Sequence, residues 1–360
     1  MKDREYLTAI SAFNPFGPAR IRLLISYFKT SKNVWNCDPG ELIKIGIDAK
    51  RATEFAEFRK KFSFTSYFKK LSKLGIKAVT FLDNDFPKRL SEINGAPVVL
   101  YYKGALKSLD FCTVAIVGSR KMTSYGREVT EKFSSELAGF SVTIISGLAR
   151  GIDTVAHKSC ITSGGKTIAV LGCGLDNLYP PENKFLADEI VKKGGAIISE
   201  YPLGAPAVPI NFAVRNRIIS GLSDCVLVVE GAKKSGTLLT AGHAADQGKT
   251  VFAVPGQITS PLSEAPLFLL NNGARMATDV SDILSELDME TKIDKEKMKK
   301  IIPDDPEEKH LLGFLDNEPL HLDELVRITG SKTSDVSARL TIMEIKGMVK
   351  SLGGGVYKKM

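Results

Sequence analysis

The chain has 360 residues, 43% of them hydrophobic and 25% charged, so it is long enough for two or three domains and has the composition of an ordinary globular protein. No apolar run approaches the roughly 20 residues that span a bilayer, and the first ten residues are too charged for a signal peptide, so we expect a cytoplasmic protein without a membrane partner. The net charge of +8 is concentrated in residues 1–110, which hold 20 lysines and arginines against 11 acidic residues, and it permits a polyanionic partner without requiring one.

Residues 1–90 lack strand signals and predict a helical domain. Phe16-Gly17-Pro18 and Ile45-Gly46-Ile47 each place an apolar–glycine turn between helical stretches, as in paired helical hairpins of the helix-hairpin-helix or SAM-like type. The amides of such turns can touch a DNA backbone, but most such turns only connect helices, so both interpretations stay open.

Residues 91–290 predict an α/β domain with an extended, Rossmann-like, doubly wound parallel sheet. From residue 113 onward, short apolar runs alternate with helix-length stretches: TVAIV, VTIIS, TIAVL, AIIS, CVLVV and TVFAV. Strands that are apolar on both faces are typical of a parallel sheet covered by helices on both sides. Each run ends in small or polar residues, and the carboxyl ends of such strands meet at one edge of the sheet. We therefore expect the functional site in a crevice at that edge.

Residues 291–306 are charged and contain prolines, which predicts a linker, and residues 307–360 predict a winged-helix domain. Helical stretches near 307–316, 321–328 and 333–347 precede VKSLGGGVYKK, a hairpin with a glycine tip. The third helix offers only Arg339 and Lys346 as cations. Reading of a DNA groove, binding of a protein partner and a structural role all stay open for this domain.

The first strand-to-helix turn, GSRKMTSYG from residue 118, differs from a dinucleotide-binding loop. It lacks the G-x-G-x-x-G pattern, and Arg120 stands where a pyrophosphate loop needs glycine. The segment GGKT at 164–167 lacks the first glycine of a P-loop and precedes a strand. The sequence also has no C-x-x-C pair and no H-E-x-x-H helix. We therefore expect no cofactor, no metal and five reduced cysteines.

Two strand ends have the composition of anion-binding turns. In SGLARGID, Gly147 and Gly151 flank a turn into a helix whose expected N-cap is Asp153, which would leave backbone amides free to face the crevice. The second turn lies between a strand end and a helix start and consists of Lys233, Lys234, Ser235, Gly236 and Thr237. With the arginines nearby, two such turns predict a row of phosphate sites rather than a pocket for one small acid.

Arg215, Asn216 and Arg217 immediately precede the strand CVLVV. An arbitrary arginine pair is most often a pair of surface charges on a helix. If these residues open the helix before the strand, at least one guanidinium lies along the crevice rim and can bind a phosphate with two hydrogen bonds. Asn216 could bond to a base edge or fix a loop. We expect neither Arg120 nor Arg215 to be a core residue.

Asp153, His157 and Glu230 are the candidate acid–base groups of an alternative function, a nucleotide-processing enzyme that uses the same crevice. Each has a structural explanation: a helix N-cap for Asp153, helix packing for His157 and pairing with a crevice cation for Glu230. The sequence offers no convincing nucleophile or metal set, so we expect no enzymatic activity.

Seven segments, in order and spacing over residues 90–290, resemble the DNA-processing protein A family (DprA, also called Smf). They are GSR (118–120), SGLARGID (146–153), GGKTIAVLGCGLDNLYPPEN (164–183), SEYPLG (199–204), RNRIISGLS (215–223), VVEGAKKSGTLLTA (228–241) and FAVPG (252–256). The flanking helical-hairpin and winged-helix segments are similar to accessory domains of some members. One departure is that Ala265 and Leu267 replace the Gly-x-Asn that usually follows PG, which puts in doubt any contact made by this loop.

The resemblance implies a single-stranded DNA-binding mediator that protects incoming DNA in natural transformation, helps to load a RecA-type recombinase and dimerises through its Rossmann domain. Carried over by motif position, Arg120, Lys184, Arg215 and Arg217 would contact the phosphate backbone. The residues implied to line the crevice are Gly118, Ser119, Ser146, Gly147, Ser235, Gly236 and Thr237. A third function, regulation of double-stranded DNA through the wing, is weakened by the few cations of that domain.

Overall fold

The structure is a computed structural model that describes residues 1–287, 306–315, 318–345 and 348–359. The chain forms two compact units, Met1–Glu286 and Leu287–Met360. Apart from Pro306, the predicted linker over 291–306 lies outside the described residues. The domain boundaries predicted at residues 90 and 290 stay predictions.

The first unit is built on a nine-stranded sheet, counted over the described residues, with the order β1-β2-β6-β5-β4-β3-β7-β8-β9. The strands are β1 (Lys77–Thr80), β2 (Val99–Gly104), β3 (Thr113–Val117), β4 (Thr143–Ser146), β5 (Thr167–Leu171), β6 (Ala196–Ser199), β7 (Cys225–Val228), β8 (Thr250–Ala253) and β9 (Arg275–Met276). Strands β3 to β9 pair in parallel, whereas β1 and β2 add an antiparallel edge next to β6. The six apolar runs of the sequence are confirmed as β3 to β8.

Helices cover both faces of this sheet, as its doubly wound pattern predicted. The helices that follow the parallel strands are α8 (Ser124–Gly139), α9 (Ile152–Thr162), α10 (Lys184–Lys192), α11 (Pro209–Gly221), α12 (Gly236–Asp246), α13 (Glu264–Asn271) and α14 (Val280–Glu286). On β5, Ala169 shares one apolar cluster with Leu186 of α10, while Val170 shares another with Ile218 of α11. Alternate residues of a strand point to opposite faces, so both faces are buried and the strand is apolar throughout.

The order of the strands reverses next to β3. The chain passes from β3 through β4 and β5 to β6 in one direction and then returns to place β7 on the other side of β3. Crossovers that leave β3 and β7 in opposite directions open a crevice at their carboxyl ends. The fold therefore places a cleft where the sequence predicted the functional site.

The amino-terminal segment is helical, as predicted, up to residue 73. Its helices, with the short helix that precedes β2, are α1 (Asp3–Ser11), α2 (Pro18–Phe28), α3 (Ser31–Asn36), α4 (Pro39–Lys44), α5 (Ala49–Lys61), α6 (Phe64–Lys73) and α7 (Lys88–Ser91). The two predicted turns are present, with Gly17 as the N-cap of α2 and Gly46 at a φ of 92°. The expectation that residues 1–90 contain no strand is wrong, because the four-residue β1 pairs with β2 at the sheet edge. A strand this short carries too little alternation to be seen in the sequence.

The second unit has the predicted winged-helix arrangement of three helices and a hairpin. Its elements are α15 (Pro306–Phe314), β10 (Leu320–His321), α16 (Leu322–Thr329), α17 (Thr333–Ile345), β11 (Val349–Gly353) and β12 (Val356–Lys359). Glycines 354 and 355 form the tip of the β11–β12 hairpin. Of the two cations predicted on the third helix, Arg339 pairs with Glu307 and Lys346 lies outside the described residues.

In the part of the chain that the structure describes, no helix is both long and apolar enough to cross a membrane.

Candidate functional site

A cleft of about 650 Å³ opens at the carboxyl ends of β3 and β7, and we call it the crevice. Its walls are the turn after β3, α11 and the turn that leads into α12, and Ala149 and Asp153 from the β4–α9 region also line it. Nine of the thirteen predicted site residues line it, namely Gly118, Ser119, Arg120, Arg215, Asn216, Lys234, Ser235, Gly236 and Thr237. The other four, Ser146, Gly147, Lys184 and Arg217, lie outside its walls.

Arg120 is an exposed cation at this cleft, as predicted. Its guanidinium carbon lies 5.7 Å from the ring centroid of Phe212, which is half-buried in the crevice wall on α11. Lys121, beside it, is also exposed and lines the same wall. An arginine held over an aromatic face keeps its hydrogen-bonding edges free for an anion while part of its surface is shielded from water.

Arg215 lines the crevice but is a core residue, so the prediction that it is not one is wrong. It is 4% exposed, and its Nη1 donates to the backbone oxygen of Gly147 at 2.9 Å and to that of Val170. Arginines 215 and 217 lie in the middle of α11 rather than at its start, because the helix already begins at Pro209. Burial lowers the pKa of Arg215 to about 10, so the side chain stays charged at neutral pH.

Arg217 points away from the crevice. Its Nη1 and Nη2 bind the two carboxylate oxygens of Glu200 at 2.6 and 2.7 Å, and its Nε donates to the backbone oxygen of Gly95 at 3.0 Å. Both side chains of the pair are at most one-tenth exposed. Of the two arginines, at least one of which was expected along the crevice rim, Arg215 lines the crevice and Arg217 binds inside the fold.

The turn between β4 and α9 is not an open anion site. The prediction that Asp153 is the N-cap of α9 is wrong, because the N-cap is Gly151 and Asp153 is the second residue of the helix. Its buried carboxylate accepts hydrogen bonds from the amides of Gly147 and Ala149, at 3.1 and 3.3 Å. The amides that were expected to face an external anion are thus occupied by an internal one. Burial raises the pKa of Asp153, and the charge of Arg215 opposes that shift.

The turn before α12 resembles the predicted anion-binding turn more closely than the turn before α9 does. Ser235 is the N-cap of α12 and accepts from the amide of Thr237 at 3.2 Å, while the amide of Lys233 donates to Glu264 at 3.0 Å. Among the described hydrogen bonds, the amides of Lys234 and Gly236 have none. Asn216, from the facing wall, donates to the backbone oxygen of Gly236 at 3.2 Å and so holds this turn against α11, which supports its loop-fixing role.

The remaining predicted site residues lie apart from the crevice walls. Ser146 is fully buried and donates to the backbone oxygen of Ile116 at 2.6 Å. Gly147 is buried against Arg215, and a Cβ there would come within 2.6 Å of Nη2, so the close approach requires glycine. Lys184 is exposed at the first position of α10.

The acid–base candidates are held by internal contacts. His157 is fully buried, and its Nδ1 lies 2.7 Å from the hydroxyl of Thr167, which itself donates to Ile144, so Nδ1 carries the proton. The packing role expected for His157 is confirmed. Burial and, second, the charge of Arg215 lower the pKa of His157 to about 3. The expectation that Glu230 pairs with a crevice cation is wrong, because its carboxylate accepts from the amide and hydroxyl of Thr123 at the start of α8.

No group of three or more potential ligands for a metal ion occurs among the described residues. All five cysteines are free thiols, and four of them are buried. Ala265 and Leu267, which depart from the family pattern, lie in the first turn of α13. The amide of Ala265 donates to the backbone oxygen of Gly231 at 2.8 Å, so this turn packs against the strand end.

Sequence reasoning missed an aromatic and cationic rim beside the crevice. The rings of Tyr179 and Phe212 lie 5.6 Å apart, and the guanidinium carbon of Arg150 lies 5.9 Å from the centroid of Tyr179. Arg150 also pairs with Glu182. The only sequence signal is that an aromatic residue precedes RNR and another precedes a double proline, and neither spacing shows that the two rings meet.

Comparison with known proteins finds matches to two family models, to related sequences and to solved structures. Residues 77–288 match the model of the DNA recombination-mediator protein A family, and residues 295–355 match that of the DprA winged helix domain. The chain is 34% identical to protein Smf of Synechocystis over 99% of both chains. It is similar to the crystal structure of DNA processing protein A from Streptococcus pneumoniae, with a TM-score of 0.68 and 35% identity over 79% of this chain and 98% of that one.

A second structure, that of DNA processing protein A from Helicobacter pylori, comes from work on the single-stranded DNA binding mode of that protein. Its TM-score is 0.54 at 29% identity, over 59% of this chain and 95% of that one.

Proposed function

Because this chain belongs to the DNA recombination-mediator protein A family, we propose that it binds single-stranded DNA along the crevice and acts as a recombination mediator. The observation that carries the proposal is the combination of Arg120, Lys121 and Lys234 with the exposed part of Phe212 on the walls of one cleft. A cationic groove with an aromatic face is how proteins hold single strands without reading their sequence, because every base has a stacking face and every nucleotide a phosphate.

The residues divide into those that touch DNA and those that hold the walls. Arg120, Lys121, Lys234 and the free amides at the start of α12 contact phosphates, and Phe212 stacks on a base. Arg215 and Arg217 act indirectly, since their guanidinium groups are buried in contacts with backbone oxygens and with Glu200. Lys184 lies outside the crevice walls but at the same end of the sheet, because α10 follows the carboxyl end of β5. In this proposal it binds a phosphate farther along the DNA strand.

Loading of a RecA-type recombinase, protection of DNA during natural transformation and homodimerisation are proposed from family membership. The cytoplasm is the proposed compartment, and five free thiols without a disulfide support a reducing environment. We also propose that the protein is not an enzyme, because Asp153, His157 and Glu230 are each held by internal hydrogen bonds.

The test is a titration of the full chain with three labelled probes: an oligothymidylate, a blunt duplex of the same length and a mononucleotide. We expect the single strand to bind best, with log affinity falling against log salt by about 0.7 for each phosphate contacted. Equal affinity for the duplex, or affinity for the single strand that salt does not change, would contradict the proposal. Tight binding of the mononucleotide alone would favour the alternative, an enzyme that processes nucleotides.

A further inference from the structure

A second cleft, of about 730 Å³, lies at the other end of the parallel strands from the crevice. Gly104, which lines it, ends β2 and pairs with Ala196 at the start of β6. Leu222, which also lines it, shortly precedes β7. The cleft therefore lies at the amino ends of the parallel strands, whereas the crevice lies at their carboxyl ends.

Three lysines from three separate segments line this second cleft. Lys77 begins β1, Lys88 begins α7, and Lys107 lies in the 3-10 helix Leu106–Asp110. All three are exposed, and none of them has an ion pair or a hydrogen bond among the described contacts. We call this cleft the lysine groove.

Other charges of the groove leave the lysines in excess. Arg89 also lines it, but its Nη1 pairs with Asp224 at 3.0 Å, so its charge is balanced inside the fold. Asp85 and Asp110 are the carboxylates of the lining, against three lysines. The groove thus attracts an anion, and it lies in the segment of the chain that carries most of the net positive charge.

An aromatic ring accompanies the lysines. Tyr102 of β2 is half-buried in the wall of the groove, and the Nζ of Lys77 lies 6.0 Å from the ring centroid. Lysine is depleted from protein–protein interfaces, because an ammonium group is costly to dehydrate, whereas grooves for single-stranded nucleic acid combine cations with aromatic faces. The composition therefore favours a nucleic acid over an acidic protein segment.

We infer that the lysine groove is a second contact site for single-stranded nucleic acid, with phosphates on Lys77, Lys88 and Lys107 and a base against Tyr102. The inference rests on the proposed function. A single strand of DNA held in the crevice, at the carboxyl ends of the β-strands, would continue around the domain into the groove at their amino ends. A strand too short to reach from one cleft to the other would contact the crevice alone.

The experiment neutralises the groove in the full chain with the triple variant Lys77→Gln/Lys88→Gln/Lys107→Gln. Binding and its salt dependence are measured with oligothymidylates from about 6 to about 30 nucleotides. We expect parental affinity for the shortest strands and weaker binding of long ones, with the salt slope for long strands reduced by up to about 2, because each lost phosphate contact contributes about 0.7.

The matched control neutralises three exposed lysines that line neither cleft, Lys44→Gln/Lys158→Gln/Lys193→Gln, and it removes the same net charge. A second pair of variants separates stacking from charge: Tyr102→Phe is expected to bind long strands like the parent and Tyr102→Leu to bind them more weakly.

Three outcomes would overturn the inference: parental binding of long strands by the triple variant, equal losses in the triple and control variants, or a loss that does not depend on strand length. A different result would assign the groove to a protein instead: the parent binds an acidic peptide, and the triple variant loses that binding while it still binds DNA like the parent. Failure of the parent to bind any single strand would reject the proposed function itself.

Discussion

Arg217 and Glu200 form a buried, two-pronged ion pair that joins the middle of α11 to the end of β6, with Nη–Oε distances of 2.6 and 2.7 Å. Nε of the same guanidinium donates to the backbone oxygen of Gly95, in the segment that precedes β2, and Nη1 also donates to the backbone oxygen of Val214. The pair therefore connects a crevice helix to the sheet and to the amino-terminal segment. This arrangement favours arginine, since its planar fork matches the two carboxylate oxygens while Nε reaches the carbonyl, whereas the compact ammonium group of lysine has no such fork.

Arg217→Ala is expected to lower the free energy of unfolding by about 3 to 5 kcal/mol, because it leaves the carboxylate of Glu200 buried without a partner. Urea unfolding measures the effect. The double variant Arg217→Met/Glu200→Leu, which removes both charges and keeps the volume, should recover most of the loss. An unchanged unfolding midpoint in Arg217→Ala would show that the pair contributes nothing to stability.

Arg215→Ala is expected to weaken both folding and DNA binding. The substitution removes the donor to Gly147 and Val170 and the opposite charge near buried Asp153, which together should cost roughly 3 kcal/mol. Amide hydrogen exchange should rise first in residues 147–149, whose conformation these contacts hold. Arg215→Lys, which keeps the charge, should lose less. Weakened DNA binding at a parental unfolding midpoint would mean that Arg215 reaches the DNA directly.

Arg120→Ala is expected to weaken single-stranded DNA binding about tenfold, or more, without changing the unfolding midpoint. Arg120 is exposed, and its one contact among the described residues is with the ring of Phe212. A charge-assisted hydrogen bond to phosphate is worth roughly 1.5 to 3 kcal/mol. Arg127→Ala, which removes an exposed arginine that lines neither cleft, is the matched control. Parental affinity in Arg120→Ala, or the same loss in both variants, would contradict a phosphate contact at Arg120.

The sheet and the position of the crevice could be predicted because both follow from local patterns. Runs such as TIAVL at β5 are apolar throughout only when both faces of a strand are buried, and their order along the chain places all their carboxyl ends at one edge. The short edge strand β1 could not be predicted, because its pairing with β2 is a tertiary contact.

The direction of individual side chains at the site was less predictable. The sequence RNR does not show that α11 begins six residues earlier, at Pro209. Because it does, Arg215 and Arg217 lie in the middle of the helix, where both are buried. Both find partners that are distant in sequence, Gly147 and Glu200. Asp153 occupies the amides of its own loop for the same reason: a buried carboxylate needs donors, and the nearest ones were those expected for an external anion.

His157 is expected to destabilise the protein as the pH falls below 6.5. Its pKa is about 3 in the folded state and near 6.5 when unfolded, so between these values the unfolded chain binds one more proton than the folded one. The stability present above pH 6.5 is lost by about 1.4 kcal/mol per pH unit down to pH 3.

The free energy of urea unfolding should therefore differ less between pH 7.5 and pH 5 for His157→Asn than for the parent. The same substitution at exposed His310 should leave the difference unchanged, and equal differences in all three proteins would contradict the buried, neutral state of His157.

We expect no hydrolysis of nucleotides or of DNA above background, with or without magnesium. Asp153 lines the crevice, but its carboxylate already accepts two backbone amides, and a general base must be free to take a proton. His157 is fully buried between α9, to which it belongs, and Thr167 of β5, and Glu230 is bound to Thr123, so neither can reach a substrate in the crevice. The measurements are release of phosphate from nucleoside triphosphates and shortening of a labelled oligonucleotide. Asp153→Asn is the control, because it keeps the shape of the side chain and removes its charge.

Turnover by the parent that disappears in Asp153→Asn would favour the enzyme. No turnover in either protein, together with single-stranded DNA binding by the parent, would leave the crevice as a binding surface, where cations and a ring hold a strand and no group is poised to cut it.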